Sequence, residues 1–258
     1  MFEAVYIAAT GITNQQRRVD TIADNIANVN TTGFKASRLD FKDALYTAGF
    51  GPAPAYSPAE DQQKGHGLMV DSITHNFKGG NLVITSEDMD FAIEGDGFFE
   101  IADSTGRLLY TRSGNMYISN EPGGMFIVNA NGNYVMNSSG QRIQVPEGTV
   151  SIECDQDGAL VFKRGEDVLG RSSFGIYTFD NKMGLSAAGS SGFEVTAASG
   201  EKRPADEVKV HQGALESSNV DLGIEMTRLI RSQRAFSLAA RALTTADDME
   251  GIANSMKS

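Results

Sequence analysis

The sequence predicts an α+β protein, with a long helix at each end of the chain and a β-rich domain between them. Two patterns carry that reading. Apolar residues recur at helical spacing over residues 5–29 and again over 222–256, the period of an amphipathic helix. Between those stretches, short apolar runs are broken by glycine, asparagine, aspartate and serine, and 28 of the 258 residues are glycine. Turns of that chemistry mark strands that reverse often, as in a β-barrel or sandwich, with room for a second small β unit.

The first helix is read from Val5, Ala8, Ile12, Gln15, Val19, Ile22, Ile26 and Val29, which follow an unbroken 3-4-3-4 spacing with Gln15 as the only polar member. Gly11 weakens such a helix by about 1 kcal/mol relative to alanine. Asn25, Asn28 and Asn30, followed by Gly33, make a stop near Asn28–Val29. The chain then enters a short extended arm, residues 30–48. Thr31 and Thr32 favour an extended path, Gly33 permits a tight bend, and Phe34 offers an apolar anchor.

Residues 49–67, GFGPAPAYSPAEDQQKGHG, hold three prolines and four glycines with no apolar period, the composition of an irregular segment. From residue 68 to 212 the signals are strands and turns. LMVDSITHNF alternates, MDFAIEGDGFFEI is two runs around Gly95-Asp96-Gly97, and LLYTR and NMYIS flank Ser113-Gly114. Asn131-Gly132 and Asp157-Gly158 sit between apolar runs as hairpin turns.

The second helix is read over 219–256. Ser218 or Asn219 is placed to cap it, with Asp221 three residues after Ser218 as an approximate capping box. Leu222, Met226, Leu229, Gln233, Phe236, Ala240 and Leu243 form one seam. Ala239, Ala242, Ala246, Met249, Ala253 and Met256 form another towards the end. The chain thus divides into a helical part with its arm (1–48 and 213–258), the Pro/Gly-rich segment (49–67) and a β-rich part (68–212). Both helical stripes are narrow. They fit packing inside one molecule, and they fit a coiled-coil-like layer shared between copies.

Composition excludes several classes. A net charge of −11 repels nucleic acid and anionic lipid. Cys154 is the only cysteine, so the chain has no internal disulfide. The first residues, MFEAVYIAATGITNQQRRVD, lack the pattern of a cleaved secretory signal, and no apolar run is long enough to span a membrane. His66, His75 and His211 fall in separate segments without ligand spacing, and DQDG at 155–158 lacks the remaining ligands of a calcium loop. No phosphate loop, dinucleotide fingerprint or nucleophile elbow occurs. The expectation is a non-enzyme without metal or cofactor.

Four motifs, in order, carry a resemblance. DNIANVNTTGFKASRLDF follows NNxANxxTxGFK at Asn25, Ala27, Asn28, Gly33, Phe34 and Lys35, with the pair Thr31-Thr32 over its T-x step and Asp24 in place of the first asparagine. GNLVITSEDMDFAIEGDGFFEI and YTRSGNMYI follow, and QGALESSNVDLGIEMTRLIRSQRAF supplies Ser218, Asn219, Val220, Gln233 and Arg234, with Phe236 where tyrosine is usual. These are the motifs of the flagellar axial family of rod and hook subunits, which the chain resembles at both ends and over most of the β region. Residues 146–205 match only loosely.

The resemblance implies a structural protein. Its terminal helices would line a hollow helical tube, with Val5, Ile12, Val19, Ile22, Ile26, Val29, Leu222, Met226, Leu229, Phe236, Leu243 and Met249 as the assembly seam. The arm would lie between neighbours. Copies would stack head to tail in a contact that does not close on itself. Partners would be further copies, other axial subunits of the rod and hook, and outer bushing rings, with no cofactor and no membrane insertion. The place would be the flagellar basal body, reached unfolded through the flagellar export channel. Chain length and the length of 46–66 favour a rod subunit of the distal part over a proximal rod or hook-like subunit. A rival of another class is a β-domain binding module carried on a helical stalk.

Overall fold

The computed structural model describes residues 2–44, 47–48, 63–64, 67–189, 191–205 and 208–256. Most of the Pro/Gly-rich segment therefore lies outside the described residues. Near its two ends, Thr47–Ala48 pairs antiparallel with Gln63–Lys64. N- and C-terminal helices flank a large β-rich region, and the chain forms two compact units. One comprises Met1–Ala27, Ser37–Thr74 and Asp221–Ser258; the other comprises Asn28–Ala36 and His75–Val220. Residues 28–36 and 213–220, grouped with the helices from sequence, thus pack with the β region.

In the helical unit, α1 spans Phe2–Ala27 and α2 spans Leu222–Ser255, and the two pack on each other. Each of the seven heptad positions from Val5 to Ile26 is buried or half-buried, whereas Tyr6, Thr13, Gln16, Arg17 and Asp20 are exposed. The end of α1 is tied down by Asn25. Its amide donates to the Ser37 carbonyl at 2.8 Å and accepts from the Ser37 backbone N–H at 2.8 Å. A buried asparagine that copies a backbone pairing in this way satisfies itself and the strand Ser37–Asp43 together.

The start of α2 differs from the expectation. Asp221 is the cap: its Oδ1 accepts from the Ile224 N–H at 3.0 Å. Ser218 accepts instead from Val220 N–H, and the Asn219 side chain is fully committed within the β unit. The helix therefore begins three residues later than read. The stripe covered within the single chain takes Leu229, Phe236, Ala240 and Leu243 from the first seam and Ala239 and Ala246 from the second. The buried or half-buried positions are Glu225, Leu229, Ser232, Phe236, Ala239, Leu243 and Ala246, with Ala235 and Ala240 beside them. Small Ser232, Ala239 and Ala246 allow a close approach along this line. Leu222, Met226 and Met249, assigned to seams from sequence, are 41%, 49% and 57% exposed in the single chain.

The β unit is built around an antiparallel sheet of ten strands among the described residues, with a three-stranded sheet of Ser151–Cys154, Ala159–Arg164 and Asp167–Ser173 beside it. Both glycine turns fall where expected. Gly132 and Gly158 take φ of +78° and +77°, closing hairpins registered by Val128↔Tyr134 and Cys154↔Leu160. One core gathers Phe91, Phe99, Ile101, Ile127 and Phe162. A second is aromatic, with Phe98, Tyr110, Phe179 and Phe193 in edge or tilted contacts.

Cys154 and Tyr110 in this unit are held neutral chiefly by burial. Burial, with Asp155 nearby, pushes the Cys154 thiol up to about 12. Burial and the Glu100 carboxylate push the Tyr110 phenol above its usual value. Both are raised in the folded state, so the stability they lend is complete below their unfolded values. It is lost as pH rises through the folded ones. The melting temperature is expected to hold up to about pH 8.5 and fall steadily above pH 9. A flat profile from pH 8 to 11 would contradict this.

Candidate assembly site

The arm after α1 is held by a buried ionic cluster. Gly33, at φ +68°, turns the chain so that its N–H donates to the Glu216 carbonyl at 2.8 Å. Lys35 then points into the protein rather than into water. Its Nζ meets Glu216 Oε1 at 2.6 Å and donates to the Lys78 carbonyl at 2.8 Å. The two side chains are 0% and 1% exposed. Glu216 Oε1 also accepts from Gly80 N–H at 2.7 Å.

Arg112 approaches the other carboxylate oxygen, Glu216 Oε2, at 3.4 Å. Its guanidinium donates to the carbonyls of Ile93 and Gly95 at 3.1 and 2.5 Å and lies 5.5 Å from the Phe98 ring centroid. One buried anion thus faces two buried cations. Burial pulls both Lys35 and Arg112 below their ordinary values, and Glu216 offsets part of that for each. Glu216 Oε2 and Arg112 Nε make no hydrogen bond among the described residues, so the cluster is tightly placed but incompletely satisfied.

Asn219 finishes the arrangement. Its Oδ1 accepts from Ala36 N–H at 2.8 Å, and its Nδ2 donates to the carbonyls of Asn76 and Lys78 at 2.6 and 3.0 Å. Thr32 and Ser113 share a hydroxyl contact at 3.1 Å. The arm motif, the YTRSG motif and the ALESSNV motif therefore meet at one place.

Of the residues singled out from sequence, Thr32, Gly33, Phe34, Lys35, Ser218, Asn219 and Val220 lie in or beside this cluster. Phe34 is half-buried, as are Asn28 and Val29. Gln233 and Arg234 stand exposed on α2. Glu216 and Arg112 were not singled out; both lay inside quoted motifs, and a charged residue amid apolar neighbours (ALESS, LLYTRSG) was the available signal. Among the described residues, no group of three or more His, Cys, Asp or Glu is placed to hold a metal ion. No described helix is long and apolar enough to cross a membrane.

Three family models match: "Flagella basal body rod protein" over 5–35, "Flagellar hook protein FlgE/F/G D1 domain" over 92–162, and "Flagellar basal body rod FlgEFG protein C-terminal" over 211–256. The chain is also 36% identical, over its whole length and 99% of the relative, to the flagellar basal-body rod protein FlgG of Borreliella burgdorferi. The chain belongs to the flagellar rod/hook family. It is 33% identical to FlgG of Bacillus subtilis over 96% of the chain and 97% of that protein. It is 28% identical to the flagellar hook-basal body complex protein FlhP of the same organism, over 100% of both. The cluster takes one ion from each matched segment of the family: Lys35 from the first, Arg112 from the second and Glu216 from the third. The three matched stretches, far apart in the chain, thus converge on one buried cluster.

Proposed function

We propose that this chain is a subunit of the distal rod, polymerising through its terminal helices into a stiff hollow tube that carries motor torque to the hook. The observation that supports this best is the surface of α2. The chain's own packing covers one narrow stripe of that helix. Ile230, Leu238, Ile252 and Met256 remain 52%, 65%, 59% and 78% exposed, along with Leu222, Met226 and Met249. Exposure of that many large apolar side chains on one helix marks an interaction surface. Full-length similarity to several FlgG rod proteins favours the distal rod, and the FlhP match keeps a sister subunit as the second reading. The rod would be reached through the flagellar export channel, and its partners would be further copies, adjoining rod and hook subunits and an outer ring.

Sedimentation tests the polymer. Full-length protein is expected to form pelletable filaments, and a chain lacking 1–30 and 219–258 is expected to stay in the supernatant. Equal pelleting of both would remove the helices from the mechanism. A second outcome concerns residues 46–66, proposed to stiffen the tube. Their deletion is expected to leave assembly intact and give curved, hook-like filaments in electron micrographs. Straight filaments after deletion would assign the stiffness elsewhere.

A further inference from the structure

The charges on α2 are segregated. Residues 222–241 carry Arg228, Arg231, Arg234 and Arg241 against Glu225 alone, whereas 242–255 carry Asp247, Asp248 and Glu250 and no base. This order opposes the helix dipole, which favours acids near the start and bases near the end. Glu225 Oε1 pairs with Arg228 within the helix. Arg231, Arg234, Asp247 and Asp248 are exposed and form no ion pair among the described residues. Each charged half also bears exposed apolar side chains. Leu222, Met226 and Ile230 stand at i, i+4 and i+8 beside Arg234, and Met249, Ile252 and Met256 follow Asp248.

We propose that the two halves of α2 are complementary docking faces for a second copy of this chain. The acidic half of one α2 lies parallel to the basic half of the next, with Asp247 and Asp248 set against Arg231 and Arg234. The inference rests on the polymer reading above and adds its register. Setting Asp248 beside Arg234 requires a stagger of about fourteen residues, or ~21 Å at 1.5 Å per residue. That stagger is less than half of a helix about 51 Å long and leaves ~30 Å of overlap with each neighbour, so one helix uses both faces at once and the contact propagates without closing. The apolar rows supply attraction, and the charges reject copies in the wrong register or direction.

Charge exchange tests it with full-length chains. One variant carries Arg231→Glu and Arg234→Glu, and the other carries Asp247→Lys and Asp248→Lys. All four positions are exposed, so both variants are expected to keep the helicity and thermal melt of the parent. Each alone is expected to need about tenfold more protein to pellet. Mixed in equal amounts, the two are expected to polymerise at close to the parent concentration, because each supplies the face the other has reversed. A pairing inside one molecule cannot be rescued by mixing. Parent-like assembly of either variant alone, or no rescue on mixing, overturns the inference. If the helix-truncated chain fails to pellet in the same series, the polymer reading still stands. A variant that loses its melt is replaced by the neutral pairs Arg→Gln and Asp→Asn, expected to weaken assembly and abolish its salt dependence; unchanged salt dependence overturns the inference equally.

Discussion

Glu216→Gln is expected to lower the stability of the β unit by about 3–5 kcal/mol, the usual cost of breaking a buried ion pair from one side. The substitution keeps the shape of the side chain and removes only its charge. It leaves Lys35 and Arg112 buried near each other with no anion between them. Lys35 sheds a proton more readily than arginine, and burial already draws its value down, so the variant is expected to respond by neutralising Lys35. Its stability deficit should therefore shrink as pH rises from 7 to 10. Lys35→Met is expected to cost less, because Glu216 keeps Arg112 at 3.4 Å and the Gly80 N–H at 2.7 Å. Urea unfolding of both variants, followed by circular dichroism, measures the order. A Glu216→Gln chain as stable as its parent would mean that the cluster is no more than a solvated surface pair.

The cluster also shows what a sequence can and cannot carry. Local chemistry was legible. The Asn131-Gly132 and Asp157-Gly158 turns name their own conformation, since each needs a residue with positive φ between two apolar runs. The stop after α1 was equally readable, because Asn25 through Gly33 bring capping and bending residues together in one stretch. Lys35 and Glu216, by contrast, are 181 residues apart. Nothing in either local pattern says that a lysine on an arm points inward. The stripes of α2 show a different limit. Periodicity shows that a helix has apolar stripes but not which stripe meets its own chain. Leu222 and Met226 are as greasy as Leu229 and Phe236, yet the stripe used internally includes Glu225 and Ser232. Leu222 and Met226 belong to the flank that the single chain leaves exposed.

Gly33→Ala is expected to be the most damaging single-methyl change in the arm. A Cβ at this position would lie 2.4 Å from the Ser113 nitrogen, 2.6 Å from the Arg112 carbonyl carbon and 2.8 Å from the Ser113 Cα. All three are backbone atoms, which cannot rotate away as a side chain can. Nor is that backbone free to retreat, because Arg112 is fastened to the Ile93 and Gly95 carbonyls and Thr32 holds Ser113. The φ of +68° adds about 1–2 kcal/mol of its own for any L side chain, and overpacking adds roughly 1–3 kcal/mol. The arm is expected to lift and carry Lys35 out of the cluster. The Gly33→Ala melt should then resemble that of Lys35→Met, and combining the two should cost much less than their sum, since each removes the same ammonium. Gly11→Ala is the control. It lies inside α1 with nothing within 4 Å of the added methyl, and it is expected to stabilise the helix by about 1 kcal/mol. Strictly additive losses for Gly33→Ala and Lys35→Met would separate the bend from the ion cluster and leave the glycine with a purely local role.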